Sequence, residues 1–184
     1  MRLFIASDIP EEVKRKVEEI QGKLKKAEAD VKWVEPQNLH FTLKFLGEVP
    51  EERVEEVKAA VKRAISGFSP FKLELKGVGY FGSKSFLRVI WISGKSQEAV
   101  KLMERLEEEL KSFRPEEREK NLHLTLGRVR SGRGREELLK AISDLSETEL
   151  GEFEVREVKL KESRLSPKGP QYRDIAVFSL PAGS

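Results

Sequence analysis

NLHFTLKF, residues 38–45, and NLHLTLG, residues 121–127, are the two stretches on which the fold turns, and they are nearly one string. The chain has 2 histidines in 184 residues, and each string holds one of them at the same place. In a β-strand successive side chains point to opposite faces. On that alternation Leu39, Phe41, Leu43 and Phe45 point into a core, while Asn38, His40, Thr42 and Lys44 point the other way. In the second string Leu122, Leu124 and Leu126 take the core face, and Asn121, His123 and Thr125 the opposite one. Packing explains the shared leucines. It gives no reason to repeat Asn, His and Thr on a face without apolar residues. Either histidine alone reads as an ordinary surface or core residue; the repeat carries the argument. If two lobes pack with these faces opposed, the cleft between them holds two imidazoles and two hydroxyls.

Outward from these strands, RLFIAS (2–7) reads as a strand, followed by a helix with Asp8 as its cap and Pro10 near its first turn. Val13, Val17, Ile20 and Leu24 recur at helical spacing. VKWV (31–34) is a short strand broken by Pro36, and Pro50 opens a second helix that stops before Gly67 and Pro70. FKLELKGVGYF (71–81) and FLRVIWIS (86–93) alternate as strands. SQEAVKLMERLEEELKSF (96–113) places Val100, Met103, Leu106 and Leu110 on one helical face, with Pro115 beyond its end. SGRGREELLKAISDLSE (131–147) reads as a flexible entry to a short helix. FEVREVKLKES (153–163) and DIAVFSL (174–180) are the last two strands, joined by the loop SPKGPQY (166–172). Eight strands interleaved with four helices, several strands joined directly, predict an α+β fold rather than a doubly wound parallel sheet. No linker interrupts the chain. The expectation is one two-lobed domain over residues 1–184, with approximate halves 1–85 and 86–184.

Composition narrows the function classes. Charged residues make up 36% of the chain, above the roughly 25% of average soluble domains. Most of that charge is Lys and Glu, which suits the surface ion-pair networks of thermophiles. The absence of Cys excludes a disulfide framework, thiolate zinc sites and a cysteine nucleophile. A net charge of +3 permits local basic patches without demanding them. The N-terminus reaches charge too early for a signal peptide, and no apolar run approaches the ~18 residues of a membrane span. A soluble cytoplasmic monomer with no obligatory protein partner is the expectation.

Paired histidines fit one chemistry well. With an ordinary pKa of about 6.5, one imidazole can be neutral while a second is protonated. The neutral one takes a proton from an attacking hydroxyl or water, and the protonated one delivers a proton to the leaving oxygen. Two Thr hydroxyls can donate to the non-bridging oxygens of a phosphate between them. Phosphodiester cleavage or formation by His40 and His123, with Thr42 and Thr125 on the phosphate and neither metal nor cofactor, is the natural reading. Three rivals remain: a phosphodiesterase for small cyclic phosphates such as ADP-ribose or mononucleotide cyclic esters, a non-catalytic RNA-binding module, and a metal site. Against the last, H-x-T supplies no second ligand on its strand.

NLHFTLKFLGE and NLHLTLGR, with RLFIA at the N-terminus, RVIW at 88–91 and SPKGPQY near the end, resemble the LigT-like family of RNA 2′,3′-cyclic phosphodiesterases and 2′-5′ RNA ligases. This family belongs to the two-histidine phosphoesterases. The resemblance runs through essentially the whole chain in order. It implies a bilobal fold with pseudo-two-fold symmetry around a central cleft. It also implies metal-independent opening of an RNA 2′,3′-cyclic phosphate to a 2′-phosphate, with reversible 2′-5′ joining of RNA ends. Carried over by motif, His40 and His123 are the acid/base pair, and Thr42 and Thr125 hold the phosphate. The two contexts are too alike to say which histidine is the hydrolytic base.

Further candidates surround the motifs. Arg128 suits the developing phosphate charge, but strict alternation aims it at the core, so a role there requires a twist or bulge at Gly127. Lys44 shares the predicted face of His40 and is a candidate phosphate contact. Tyr172 is a candidate to stack on a base, and Phe45 is a second, although core packing suits Phe45 better. Phe45, Trp33 and Trp91 read as core residues. Lys84, Arg133, Arg135 and Lys168 are loop cations that either contact an RNA backbone or are simply solvated.

Overall fold

The computed structural model describes residues 1–114 and 121–181. Pro115, read as the stop beyond the third helix, lies outside them. In chain order the elements are β1 (Arg2–Asp8), α1 (Glu11–Lys25), β2 (Val31–Trp33), β3 (His40–Glu48), α2 (Val54–Ile65), β4 (Phe71–Ser83) and β5 (Phe86–Lys95). There follow α3 (Gln97–Glu109), β6 (Leu122–Val129), α4 (Arg135–Asp144), β7 (Glu149–Val155), β8 (Glu157–Ser166) and β9 (Gly169–Ser179). The α+β class holds. Every strand pairing among the described residues is antiparallel, in one curled sheet of order β7-β4-β5-β6-β3-β1-β8-β9, with β2 added to β6. None of the helices described is long and apolar enough to cross a membrane.

The four helices bury their apolar stripes in one core against the sheet. Val17 and Leu24 of α1, Val57 and Val61 of α2, Leu102 and Leu106 of α3, and Leu138 of α4 are each 0% exposed. Each such side chain contributes about 1.5–3 kcal/mol by leaving water. Phe41 and Leu124 meet them from the centre of the sheet, both fully buried, and this residue pair is the one ladder pair recorded between β3 and β6. The histidine strands are therefore neighbours in a single sheet, not parts of two separately closed sheets.

The two sides of the sheet do not follow the two halves of the chain. β4 lies on the β6 side, because the tight hairpin at Ser83–Phe86 pairs it with β5. β8 and β9 return to the β3 side, where β8 pairs with β1. A boundary near residue 85 thus cuts through a hairpin rather than between the sides.

Two expected elements are also redrawn. FEVREVKLKES is two strands on opposite sides of the sheet, β7 beside β4 and β8 beside β1. The break is visible in the pattern: Phe153 and Val155 are buried, then Val158 and Leu160, with exposed Arg156 and Glu157 shifting the alternation by one. SPKGPQY is mostly strand, since β8 and β9 are joined by a two-residue turn at Pro167–Lys168. Pro170 is tolerated because β9 is an edge strand, where a missing N–H costs no ladder bond. Finally, Asp8 does not cap α1. Pro10 occupies the N-cap position with no side-chain bond, and Asp8 pairs instead with Lys159 and Lys161 at 2.8 and 3.1 Å.

Candidate active site

One cleft of about 850 Å³ is lined by His40, Thr42, His123 and Thr125 together. The antiparallel pair Phe41↔Leu124 accounts for this. Continued by one residue each way, its register sets His40 across from Thr125 and Thr42 across from His123. Alternation turns all four away from the buried Phe41 and Leu124. The geometry brings the four motif residues together, as expected, though side by side on one curled surface.

Alternation then fails at the same point in both motifs. Leu43 and Lys44 are consecutive buried residues in β3, and Leu126 and Gly127 are consecutive buried residues in β6. The pairing registers slip there, between Ile5 and Ala6 opposite β3 and between Ile90 and Trp91 opposite β6. Each slip is a bulge that shifts the facing of the residues after it. Lys44 therefore leaves the cleft. It is 1% exposed, ion-paired to Glu107 of α3 at 2.9 Å, and donates to the Arg114 carbonyl. Phe45 moves the other way, from expected core to the cleft wall, 40% exposed. Arg128, the position equivalent to Phe45, also lines the cleft. The second copy has glycine where the first has Lys44 because β2 packs there: a Cβ on Gly127 would lie 2.6 Å from Val31 Cγ1. Gln21 of α1, itself buried, donates 3.0 Å bonds to the Leu126 and Val34 carbonyls, so the bulge leaves the Leu126 oxygen satisfied.

His40 is held in one tautomer. Its Nδ1 lies 2.7 Å from the Asn38 carbonyl, which can only accept, so Nδ1 carries the proton. Nε2, 3.1 Å from Thr42 Oγ1, is then the acceptor. Burial holds the His40 pKa below its usual value, helped by the positive charges of Lys161 and Arg128 and opposed by the Asn38 bond and Asp8. Behind it, Lys159 and Lys161 of β8 bridge Asp8 and Asp174. Burial pushes the Asp8 carboxyl up, but hydrogen bonds and charge from the two lysines outweigh it and leave its pKa lowered.

Each imidazole sits among aromatic rings. Phe4 and Tyr172 lie 5.2 and 5.1 Å from His40, and Trp91 and Phe81 lie 4.3 and 4.9 Å from His123, centroid to centroid. Tyr172 is thus brought to the site, with burial raising its phenol pKa. The sequence reading does not place Phe4, Phe81 or Trp91 there. Trp91 carries a signal: it falls between Ile90 and Ile92, which are fully buried, and so belongs to the other face. Gly79 makes room for it, since a Cβ there would lie 2.3 Å from the indole. The indole N–H is buried without an acceptor among the described residues, a cost of seating the ring on His123. Trp33 also lines the cleft, as does Lys168 at its rim. Arg133 and Arg135 line a separate groove, and Lys84 lines neither. Among the described residues, no group of three or more His, Asp or Glu side chains could hold a metal ion.

The comparisons with known proteins agree with this geometry. Residues 8–91 and 93–172 match the family described as LigT like Phosphoesterase. An RNA 2′,3′-cyclic phosphodiesterase of Methanothermobacter thermautotrophicus is 40% identical, over 98% of this chain and 99% of that protein. One of Archaeoglobus fulgidus is 40% identical, over 97% and 99%. Among solved structures, a Thermus thermophilus protein superposes with a TM-score of 0.85 at 31% identity, covering 100% of both chains. Escherichia coli LigT bound to 3′-AMP superposes with a TM-score of 0.74 at 26% identity, over 97% of both chains. Two H-x-T strands joined at their centre, with matches running almost end to end, leave one assignment: this chain belongs to the LigT-like phosphoesterase family.

Proposed function

We propose that this enzyme opens 2′,3′-cyclic phosphate ends of RNA to leave a 2′-phosphate. The observation that carries the reading is the cleft itself, where two imidazoles and two threonine hydroxyls line one space. The names of its relatives support the substrate, and E. coli LigT, bound to phosphate in one structure and to 3′-AMP in another, supports the type of ligand.

His40 is the base of the opening reaction. Its lowered pKa keeps it neutral near pH 7, and its Nδ1–H···O bond leaves Nε2 to accept a proton. His40 Nε2 takes a proton from water as the water oxygen bonds to phosphorus. The bond from phosphorus to the ribose 3′ oxygen breaks, and protonated His123 gives that oxygen its proton. The phosphate stays on the 2′ oxygen. With substrate bound, Thr42 turns its O–H from His40 Nε2 to a non-bridging oxygen, which frees Nε2 for the water. Thr125 donates to the other, and Arg128 offsets charge that builds there. With an RNA 5′-hydroxyl in place of water, the same step with the same roles forms a 2′-5′ bond as the 3′ oxygen leaves. In the reverse direction the 3′-hydroxyl attacks, the 5′-hydroxyl leaves and the two histidines exchange roles. Every one of these groups comes from a single chain, which supports a monomer acting without a protein partner. A cytoplasmic site of action accords with such RNA-end chemistry.

The test is RNA carrying a 2′,3′-cyclic phosphate, incubated with the protein in excess chelator. A 2′-phosphate product, at a rate the chelator does not change, is expected. A 3′-phosphate product, or loss of turnover in chelator, would overturn the mechanism. Binding without turnover would favour an RNA-binding module, and turnover of cyclic mononucleotides but not of RNA would favour a small-molecule enzyme. The pH profile follows from His40. A base with a lowered pKa is deprotonated further into acid, so the acidic limb of kcat/KM is expected below pH ~6.5, the ordinary histidine value. A limb above that value would reassign the base.

A further inference from the structure

Beside the catalytic cleft lies a second groove of about 530 Å³, lined by Arg88, Arg128, Arg130, Arg133, Arg135 and Phe86. We propose that this groove binds the single-stranded RNA body that runs 5′ from the cyclic end. The proposal rests on the hydrolase reading for the identity of the occupant. The groove's own features are independent of it.

Charge is the first of these. The chain carries 32 acidic residues against 35 basic ones, and many of its surface cations are paired with carboxylates. None of these five arginines pairs with a carboxylate among the described residues. Glu136 and Glu137 follow in the first turn of α4 and pair with none of them. Five guanidiniums gathered without a direct carboxylate partner among the described residues form a positive strip, and guanidinium forks match phosphate oxygens two at a time. Arg135 also donates a 3.0 Å bond to the Ser85 carbonyl, which ties the entry of α4 to the β4–β5 hairpin and holds the groove's walls together.

Aromatic exposure is the second. Phe86 is 69% exposed in the groove, and Phe81, on the same hairpin, is 43% exposed with its ring edge-on to His123 at 4.9 Å. Neither ring serves the core. Exposed rings interleaved with cations are what single-stranded nucleic acids use, stacking bases on the rings and seating phosphates on the cations.

Continuity is the third and decides the occupant. Arg128 lines both the groove and the catalytic cleft. A chain leaving the cleft along Arg128 meets the groove at that residue. A terminal cyclic phosphate held by the histidines can continue in one direction alone, into the nucleotides 5′ to it.

The experiment uses the full chain and a labelled single-stranded RNA of about twelve nucleotides with a plain 3′-hydroxyl, a length within the site sizes of single-strand binders. Its affinity is measured between about 50 and 200 mM salt for wild type, Arg130→Ala/Arg133→Ala and Phe86→Ala. All three residues are exposed, so folding is not at risk. The double variant is expected to bind about 10-fold more weakly, and its log–log salt slope to fall by about 1.4, at roughly 0.7 per phosphate contact. Phe86→Ala is expected to weaken binding about 5-fold with the slope unchanged. Turnover of a 2′,3′-cyclic mononucleotide, which does not reach the groove, should stay within about twofold of wild type. Unchanged RNA affinity and slope in both variants would overturn the proposal, as would mononucleotide turnover that falls in step with RNA binding. Tight, variant-sensitive RNA binding by a protein that opens no cyclic phosphate would instead defeat the hydrolase reading and leave the groove assigned.

Discussion

His40→Ala and His123→Ala are each expected to lower kcat on cyclic-ended RNA by about 10²- to 10⁴-fold, the range that one positioned acid or base supplies. The double variant should lose much less than the product of the two, because groups that act as a unit are not additive. The two single variants are separable. His40→Ala removes the base and with it the acidic limb of the profile, whereas His123→Ala keeps that limb and loses the protonated donor. Neither change should alter the fold, since both imidazoles are only partly buried and lie on the cleft face. Near-wild-type turnover in either variant would defeat the two-histidine mechanism. If the acidic limb vanished in His123→Ala and survived in His40→Ala, the roles would be exchanged.

Glu107→Ala is expected to cost about 3 kcal/mol of stability, while Lys44→Met should cost no more than about 1 kcal/mol. The asymmetry comes from burial. Removing Glu107 leaves the Lys44 ammonium 1% exposed with the Arg114 carbonyl as acceptor, whereas Glu107 is 21% exposed and can take up water when Lys44 is gone. Methionine also fills the space of the lysine stem. Denaturant unfolding measures both. Turnover by Lys44→Met should match wild type, because the β3 bulge carries Lys44 away from the cleft. A folded Lys44→Met protein without activity would restore Lys44 as a phosphate contact and defeat the structural reading.

Strict strand alternation misplaces the residues after each motif. It assigns Lys44 to the cleft, and Lys44 is in the core; it assigns Phe45 to the core, and Phe45 lines the cleft. Arg128 reaches the cleft through a break in alternation of the kind expected at Gly127, since the register slips directly beside the Ile90↔Gly127 pair. Trp91 shares the apolar character of its neighbours, yet its position between Ile90 and Ile92 sets it on the other face. The division at Arg156 is likewise present in the phase of the apolar residues. These two signals are legible in the sequence. The bulges are not, because a bulge is a property of two paired strands and neither string contains its partner.

The amino-acid pattern alone determined the α+β class, the helix positions and the pairing of His40 and Thr42 with His123 and Thr125. The class and the helices depend on short-range periodicity, set by backbone geometry within a few residues, and the pairing of the motifs depends on the repeat of one short string at 38–43 and 121–126. Tertiary pairing settled the rest: β3 beside β6 in one sheet, β8 and β9 returning to β1, the bulges that exchange Lys44 for Phe45, and the arginine groove that opens at Arg128. Those features come from contacts between residues far apart in the chain. Their energies are decided by which strand finds which neighbour, and no local string encodes that choice.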